Sequence, residues 1–248
     1  MALLDTVYQP TTAAEAAALL AHTDLRLAPL AGGTQLIADL ESRTRRDLDG
    51  VVDLSRAGLA TIELATQGGR EHLRVGATVT LSRLIEHETA GALAHGLLRR
   101  AAVGEGPVNL RNLATVGGVV ASAEPDSEFY AALLALDAAV VIDYGGQEQL
   151  LRLEDLQSIG GLITAVLIPT EPARGGLARV ARTPADRPIV AAVAVRTAAG
   201  ECVALCGVAA RPVLLGTPLD PPADFRGSAE YRRAMIDVVI GRARAEVA

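Results

Sequence analysis

The sequence of 248 residues has no tryptophan, and aromatic residues make up only 2% of it. A surface that stacks bases needs several aromatic platforms, so single-stranded nucleic acid is excluded as a partner. A surplus of positive charge is also missing. The formal net charge is −6 and the cationic residues are scattered, whereas binding a phosphate backbone requires clustered cations. Cysteine is scarce: only Cys202 and Cys206. On one strand they would face the same side about 13 Å apart at ~3.3 Å per residue, too far for a disulfide. Two thiols are also too few for an iron–sulfur cluster, so any such centre belongs to another chain. The most apolar run, Ile189–Val195, falls far short of the roughly 20 residues that cross a bilayer. The first residues have neither a basic region nor an apolar core, so no signal peptide is expected and a cytoplasmic location is. His22, His72, His87 and His95 are scattered, and no Ser-His-Asp or metal-ligand grouping stands out.

What is present is half hydrophobic, with alanine, leucine and valine available to fill a core. Thr12-Ala13-Ala14-Glu15 predicts a capping box that opens a helix ending near His22. A strand over Leu25–Leu30, a helix over Gln35–Ser42 and a strand over Val51–Leu54 form a small βαβ-like unit. A new block starts near Ile62. It holds a strand at His72–Gly76 and helices at Leu81–His87 and Leu93–Ala102. A Gly- and Pro-rich stretch without period runs from Gly104 to Glu128, followed by a helix at Glu128–Leu136 and strands at Ala138–Asp143 and Ile163–Ile168. Thr170–Gly176 (TEPARGG) reads as a linker. Beyond it come a strand at Leu177–Arg182, a hairpin over Ile189–Ala209 turning at Ala198-Ala199-Gly200, and an Arg-rich helix in Phe225–Val247 capped by Ser228. Arg232, Arg233, Arg242 and Arg244 read as a solvated helix face.

Two glycine turns carry the chemistry. Ala31-Gly32-Gly33-Thr34 joins a strand to a helix, where bare backbone N–H groups and the positive helix end favour a pyrophosphate. Its spacing is not GxGxxG. The second turn, Thr115–Glu128 (TVGGVVASAEPDSE), offers Gly117 and Gly118, the hydroxyls of Thr115 and Ser122, and the carboxylates Glu124 and Glu128 as ribose acceptors. The two turns lie about 80 residues apart and suit the two phosphates of one dinucleotide.

At these residues the chain resembles the FAD-binding medium subunits of molybdenum hydroxylases, the family of carbon monoxide dehydrogenase and xanthine dehydrogenase flavoproteins. The resemblance runs through AGGTQL at Ala31–Leu36, Val52-Asp53-Leu54, LRVGATVT at Leu73–Thr80 and LRNLATVGGV at Leu110–Val119. It continues through Pro125, Glu128, ALLAL at Ala132–Leu136 and FRGSAEYRR at Phe225–Arg233. It implies an α+β fold in which a two-subdomain FAD-binding domain of the vanillyl-alcohol-oxidase type spans 1–170, divided near residue 55. A small C-terminal domain over 177–248 would hold a three-stranded antiparallel sheet with helices. The implied FAD contacts are Leu30, Ala31, Gly32, Gly33, Thr34 and Gln35; Ala77 and Thr78; Ala114, Thr115, Gly117, Gly118, Ser122, Glu124 and Glu128; Leu162; and Arg179. Three departures stand out: Gln35 for the family's Asp, Val119 for its Asn, and a shortened Leu156–Leu162 together with Leu177-Ala178-Arg179 in place of a Tyr-x-Lys-like segment.

The resemblance further implies an electron-transferring oxidoreductase subunit with no catalytic side chain of its own. FAD sits on this chain, while 2Fe-2S clusters and a molybdopterin cofactor sit on a small and a large partner, assembled as a dimer of heterotrimers. The alternative is a flavin-poor structural subunit of the same complex. A stand-alone flavoprotein oxidase ranks third, because no His or Cys is placed to tether a flavin and no large substrate domain is present.

Overall fold

The computed structural model describes residues 6–248. The chain opens with strand β1 (Thr6–Tyr8) and helix α1 (Ala13–Leu20). The Thr12 hydroxyl accepts the Glu15 N–H at 3.1 Å, and the Glu15 carboxylate accepts the Thr11 N–H at 2.8 Å. This is the expected capping arrangement, with its return bond moved back by one residue. Strand β2 (Leu27–Leu30), helix α2 (Leu36–Glu41) and strand β3 (Gly50–Asp53) follow. The three strands form a parallel sheet in the order β1-β3-β2. Ala16 and Ala17 of α1 pack on Val52 and Leu54, and this small core extends to Leu162 of the next unit.

The second unit contains β4 (Ile62–Gln67), β5 (Arg70–Gly76), α3 (Leu81–Glu86), α4 (Glu88–Gly104), α5 (Val108–Arg111), α6 (Val116–Ser122), α7 (Glu128–Ala135), β6 (Ala139–Asp143), β7 (Glu148–Arg152) and β8 (Leu162–Pro169). Its five strands pair antiparallel throughout, in the order β4-β5-β8-β6-β7. The edge strands β4 and β7 have no counterpart in the sequence reading. Both are largely exposed and polar, so neither carries the apolar alternation that marks a half-buried strand. Helix α4 starts earlier than expected and is broken at Leu93–Gly96, where Ala94, His95 and Gly96 take positive φ before the helix resumes.

The third unit is β9 (Arg174–Val180), β10 (Val190–Thr197), β11 (Gly200–Cys206), β12 (Val213–Leu214) and α8 (Ala229–Ala245). Its antiparallel order is β12-β11-β10-β9. The sheet therefore has four strands, not the expected three. The fourth is two residues long, too short to leave a pattern in sequence. Arg174, Gly175 and Gly176, expected in a linker, are strand residues. A Cβ on Gly175 would stand 2.5 Å from Leu97 Cβ, and one on Gly176 would enter the Ala243 carbonyl, so these glycines let β9 pass between α4 and α8. Ser228 caps α8 as expected. Arg232, expected on a solvated face, is only 2% exposed. Its guanidinium donates to the Ile189 and Gly207 carbonyls and to Asp224.

The second and third units share one core. Phe129, Leu133, Leu97 and Val75 belong to the same packed cluster as Ala191, Val193, Ala204 and Cys206. Cys202 is half-buried, Cys206 is buried, and both are free thiols. No helix among the described residues is long and apolar enough to cross a membrane.

Candidate functional site

The first glycine turn leaves the end of β2 and faces the second turn across a cleft of about 610 Å³. That volume is typical of pockets for small molecules and cofactors, roughly 300–1,000 Å³. Two strands deliver the walls. The end of β2 places Leu30 and Ala31, and the end of β5 places Ala77, while α6 and the segment before it place Ala114, Thr115 and Gly118.

Gly32 fixes the distance between the turns. A Cβ there would overlap the Leu113 carbonyl oxygen, so only glycine lets the first turn rest on the chain that leads into the second. Gly33 has φ +70°, the left-handed region, and a Cβ would stand 2.7 Å from Ile37 Cδ1. Among the described residues, the N–H groups of Gly32, Gly33, Thr34 and Gln35 have no backbone or side-chain acceptor. Four donors with no protein partner, in one turn that opens on a cleft, make a cradle for an anionic ligand.

The second turn works differently from the sequence expectation. Its amides are already bonded: Val116 N–H to Val79 O at 2.9 Å, Gly117 N–H to Ala77 O at 2.9 Å, and Gly118 N–H to the Thr115 hydroxyl at 3.1 Å. Gly117 and Gly118 are therefore not open donors. Gly117 is bare because a Cβ would stand 2.6 Å from Ala77 Cβ, and Gly118 because a Cβ would stand 2.9 Å from Thr115 Oγ1. This turn supplies a smooth floor under the cradle rather than a second set of hydrogen bonds.

Of the residues expected to touch a cofactor, Leu30, Ala31, Gly32, Gly33, Thr34, Gln35, Ala77, Ala114, Thr115, Gly117, Gly118, Ser122, Glu124 and Leu162 line this cleft. Gln35 turns its side-chain amide along α2, donating to Asp39 at 3.0 Å. The Ser122 hydroxyl donates to Val119 O at 3.2 Å. Thr78, Glu128 and Arg179 do not line the cleft. Thr78 N–H is held by Leu59 O at 3.0 Å. Glu128 is buried behind the wall, where its carboxylate accepts from Arg179 Nη1 at 3.2 Å and its other oxygen has no partner. Burial pushes the Glu128 carboxyl up to about 7, against the opposing pull of Arg179. Glu124 is also raised: burial is the main cause and nearby Asp126, Asp39 and Glu105 add to it, while Arg187 acts the other way. Asp39, Arg45, Glu105, Leu110, Ile159 and Arg187 also line the cleft and were not expected from sequence. The Val119 side chain forms part of the cleft too, where the resembling family has an amide.

An unspent amide cradle, a glycine floor and a volume of this size fit a dinucleotide diphosphate. The comparisons agree on the class. Residues 4–171 match the family described as the FAD binding domain in molybdopterin dehydrogenase, and the chain belongs to that family. It is the FAD-binding subunit of a molybdenum-hydroxylase-type oxidoreductase complex.

Among relatives, the carbon monoxide dehydrogenase medium chain of Afipia carboxidovorans is 28% identical, over 95% of this chain and 94% of that one. The glyceraldehyde dehydrogenase medium chain of Sulfolobus acidocaldarius is 23% identical, over 89% and 90%. Among solved structures, a reconstituted CO dehydrogenase from Oligotropha carboxidovorans superposes with a TM-score of 0.87 at 25% identity, covering 97% of this chain and 96% of that one. Quinoline 2-oxidoreductase from Pseudomonas putida 86, at 21% identity, shares the fold with a TM-score of 0.84 over 98% of this chain and 96% of that one.

Proposed function

We propose that this chain passes electrons between partner subunits and an external acceptor through FAD held in the cleft between its first two units. In this reading a small iron–sulfur partner delivers electrons from 2Fe-2S centres, and a large molybdopterin-bearing partner oxidises the organic substrate. The assembly is a cytoplasmic dimer of heterotrimers. Bound FAD supplies the ability to hold one or two electrons, which links one-electron donors to a two-electron acceptor.

The observation that carries the reading is the row of unpartnered N–H groups from Gly32 to Gln35 facing the Gly118 floor. Those amides hold the pyrophosphate without protonation or side-chain movement, and the left-handed Gly33 keeps them aimed. Thr115 holds the floor in register by capping α6, and Thr34 and Ser122 bring hydroxyls to the cleft. Leu30, Ala31, Ala77, Ala114 and Leu162 supply apolar contact for the rings. Glu128 and Arg179 act from behind the wall, bracing the cleft against the third unit. No group in the cleft is needed as nucleophile or general base, because the chain's task is to bind and orient. The named relatives act on carbon monoxide and glyceraldehyde with medium chains of this same build, which fits a substrate pocket on another subunit.

A second reading has specific support. Val119 in the cleft and the spent amides of the second turn reduce the polar grip, as a flavin-poor structural subunit of the same complex would. The visible spectrum of the purified native complex decides between them. Flavin bands in stoichiometric amount are the expected result. A folded complex with intact partners and no flavin would establish the structural role instead.

A further inference from the structure

The cleft poses an electrostatic problem. Asp39, Glu105 and Glu124 line it, Asp126 stands close behind, and the ligand proposed for it is itself a dianion. Arg45 is engaged by Asp47 at 3.2 Å. Two guanidinium groups from the third unit stand among these carboxylates: Arg226 pairs with Asp126 behind the wall, and Arg187 reaches the cleft itself. Arg187 lies in the loop between β9 and β10, donates to Glu105 at 3.2 Å, forms an ion pair with Asp126 at 3.0 Å, and lines the cleft. The loop that carries it is braced. The Thr183 N–H is accepted by the Asp186 carboxylate at 3.1 Å, and the Asp186 carbonyl is held by Arg179. The Arg187 Nε is buried and has no acceptor in the protein. The Glu124 carboxylate, in the lining of the cleft, makes no ion pair or hydrogen bond with another described residue, and it is raised by burial and by the same neighbouring acids.

We propose that Arg187 is a nucleotide-binding residue contributed by the third unit: it offsets the acidic wall of the cleft, so that a dianionic pyrophosphate can enter and be held there. The inference rests on the functional reading above and adds a residue to it, because the family match ends at residue 171 and leaves Arg187 outside. Opposite charges across a partly desolvated wall interact far more strongly than they do in water. Asp126 is also paired with Arg226, so loss of Arg187 leaves Asp39, Glu105 and Glu124 facing the ligand without that cation, and the wall becomes more repulsive to it. Nucleotide affinity therefore depends on how the third unit seats against the second, through the Glu105–Arg187–Asp126 contact.

The test is ligand titration of the purified full chain, wild type and variants, with FAD, ADP and riboflavin, followed by calorimetry or flavin fluorescence. Arg187→Gln should weaken FAD and ADP by about tenfold or more, the scale of one hydrogen bond to a charged group. Riboflavin, which lacks the diphosphate, should change by no more than about twofold on the same argument from charge. Arg187→Lys should recover most of the loss, and high salt should shrink the difference. Glu124→Gln, which removes a carboxylate without a hydrogen-bond or ion-pair partner among the described residues, should tighten FAD and ADP. It decides the matter alone if circular dichroism shows that Arg187→Gln does not fold. Unchanged ADP and FAD affinity in Arg187→Gln, an equal loss for riboflavin, or weaker ADP binding in Glu124→Gln would each overturn the proposal. A wild type that binds ADP but not FAD would sink the flavin reading while leaving the role of Arg187 standing.

Discussion

Gly32 has no room for a side chain, because the Leu113 carbonyl occupies the position its Cβ would take. Gly32→Ala must push the two turns apart. The expected outcome is loss of most bound flavin and destabilisation of about 1–3 kcal/mol, the scale of overpacking, read from the visible spectrum and a urea melt. Glu128 gives a prediction in pH. Its folded carboxyl is raised from its ordinary value to about 7, so the folded state holds the proton more tightly than the unfolded one. Its contribution to stability is then fully present below the unfolded value of about 4.5 and is lost as pH rises through about 7. Glu128→Gln removes this dependence. Its melting temperature relative to wild type should rise from about pH 5 to about pH 8, and a constant difference across that range would rule the account out. At this scale the sequence was informative about backbone and less so about side chains. AGGT reads as a ligand-facing turn because glycine pairs at a strand end leave their mark locally. Whether an amide is free or spent depends on a distant carbonyl, as with Gly117 and Ala77 O, and no local pattern shows it. The same limit explains Glu128: its position matched the resembling family, but its side chain reaches Arg179 behind the wall.

Strand β9 shows how an element can hide behind its own composition. Pro172, Gly175 and Gly176 look like a flexible joint, yet the glycines are there so that the strand can thread between helices. Gly176→Ala should therefore behave as a core substitution rather than a linker substitution. We expect a loss of about 1–3 kcal/mol in urea unfolding, where a true linker site would lose almost nothing. The elements legible in the sequence are those with a cap or a buried period, such as α1 behind Thr12, α8 behind Ser228 and the apolar β8 and β10. The short helices α5 and α6 were hidden in the stretch without period, and the strands missed, β1, β4, β7 and β12, all lie at sheet edges. They form because a neighbouring strand offers hydrogen bonds, not because their own residues demand it.

The whole molecule is sewn together across its units. Ala191, Val193, Val195, Ala204 and Cys206 of the third unit sit in the same core cluster as α4 and α7, so one face of that sheet is covered only by the second unit. Calorimetry should show one unfolding transition for the chain, and two resolved transitions would contradict a shared core. Arginine does much of the stitching: every one of the 23 basic residues is arginine, with no lysine. Arg100 holds the Gly175 carbonyl at 2.9 Å and Arg211 holds that of Leu156, each joining the second and third units, while Arg232 bridges the Ile189 and Gly207 carbonyls within the third. A planar fork suits such carbonyls as a single ammonium does not. Guanidinium chloride carries the same fork, so the denaturant arrives as a rival copy of the stitch itself. Its midpoint should fall below the one-half of the urea midpoint that a roughly twofold difference in potency accounts for, the seams failing to competition before the core fails to solvation.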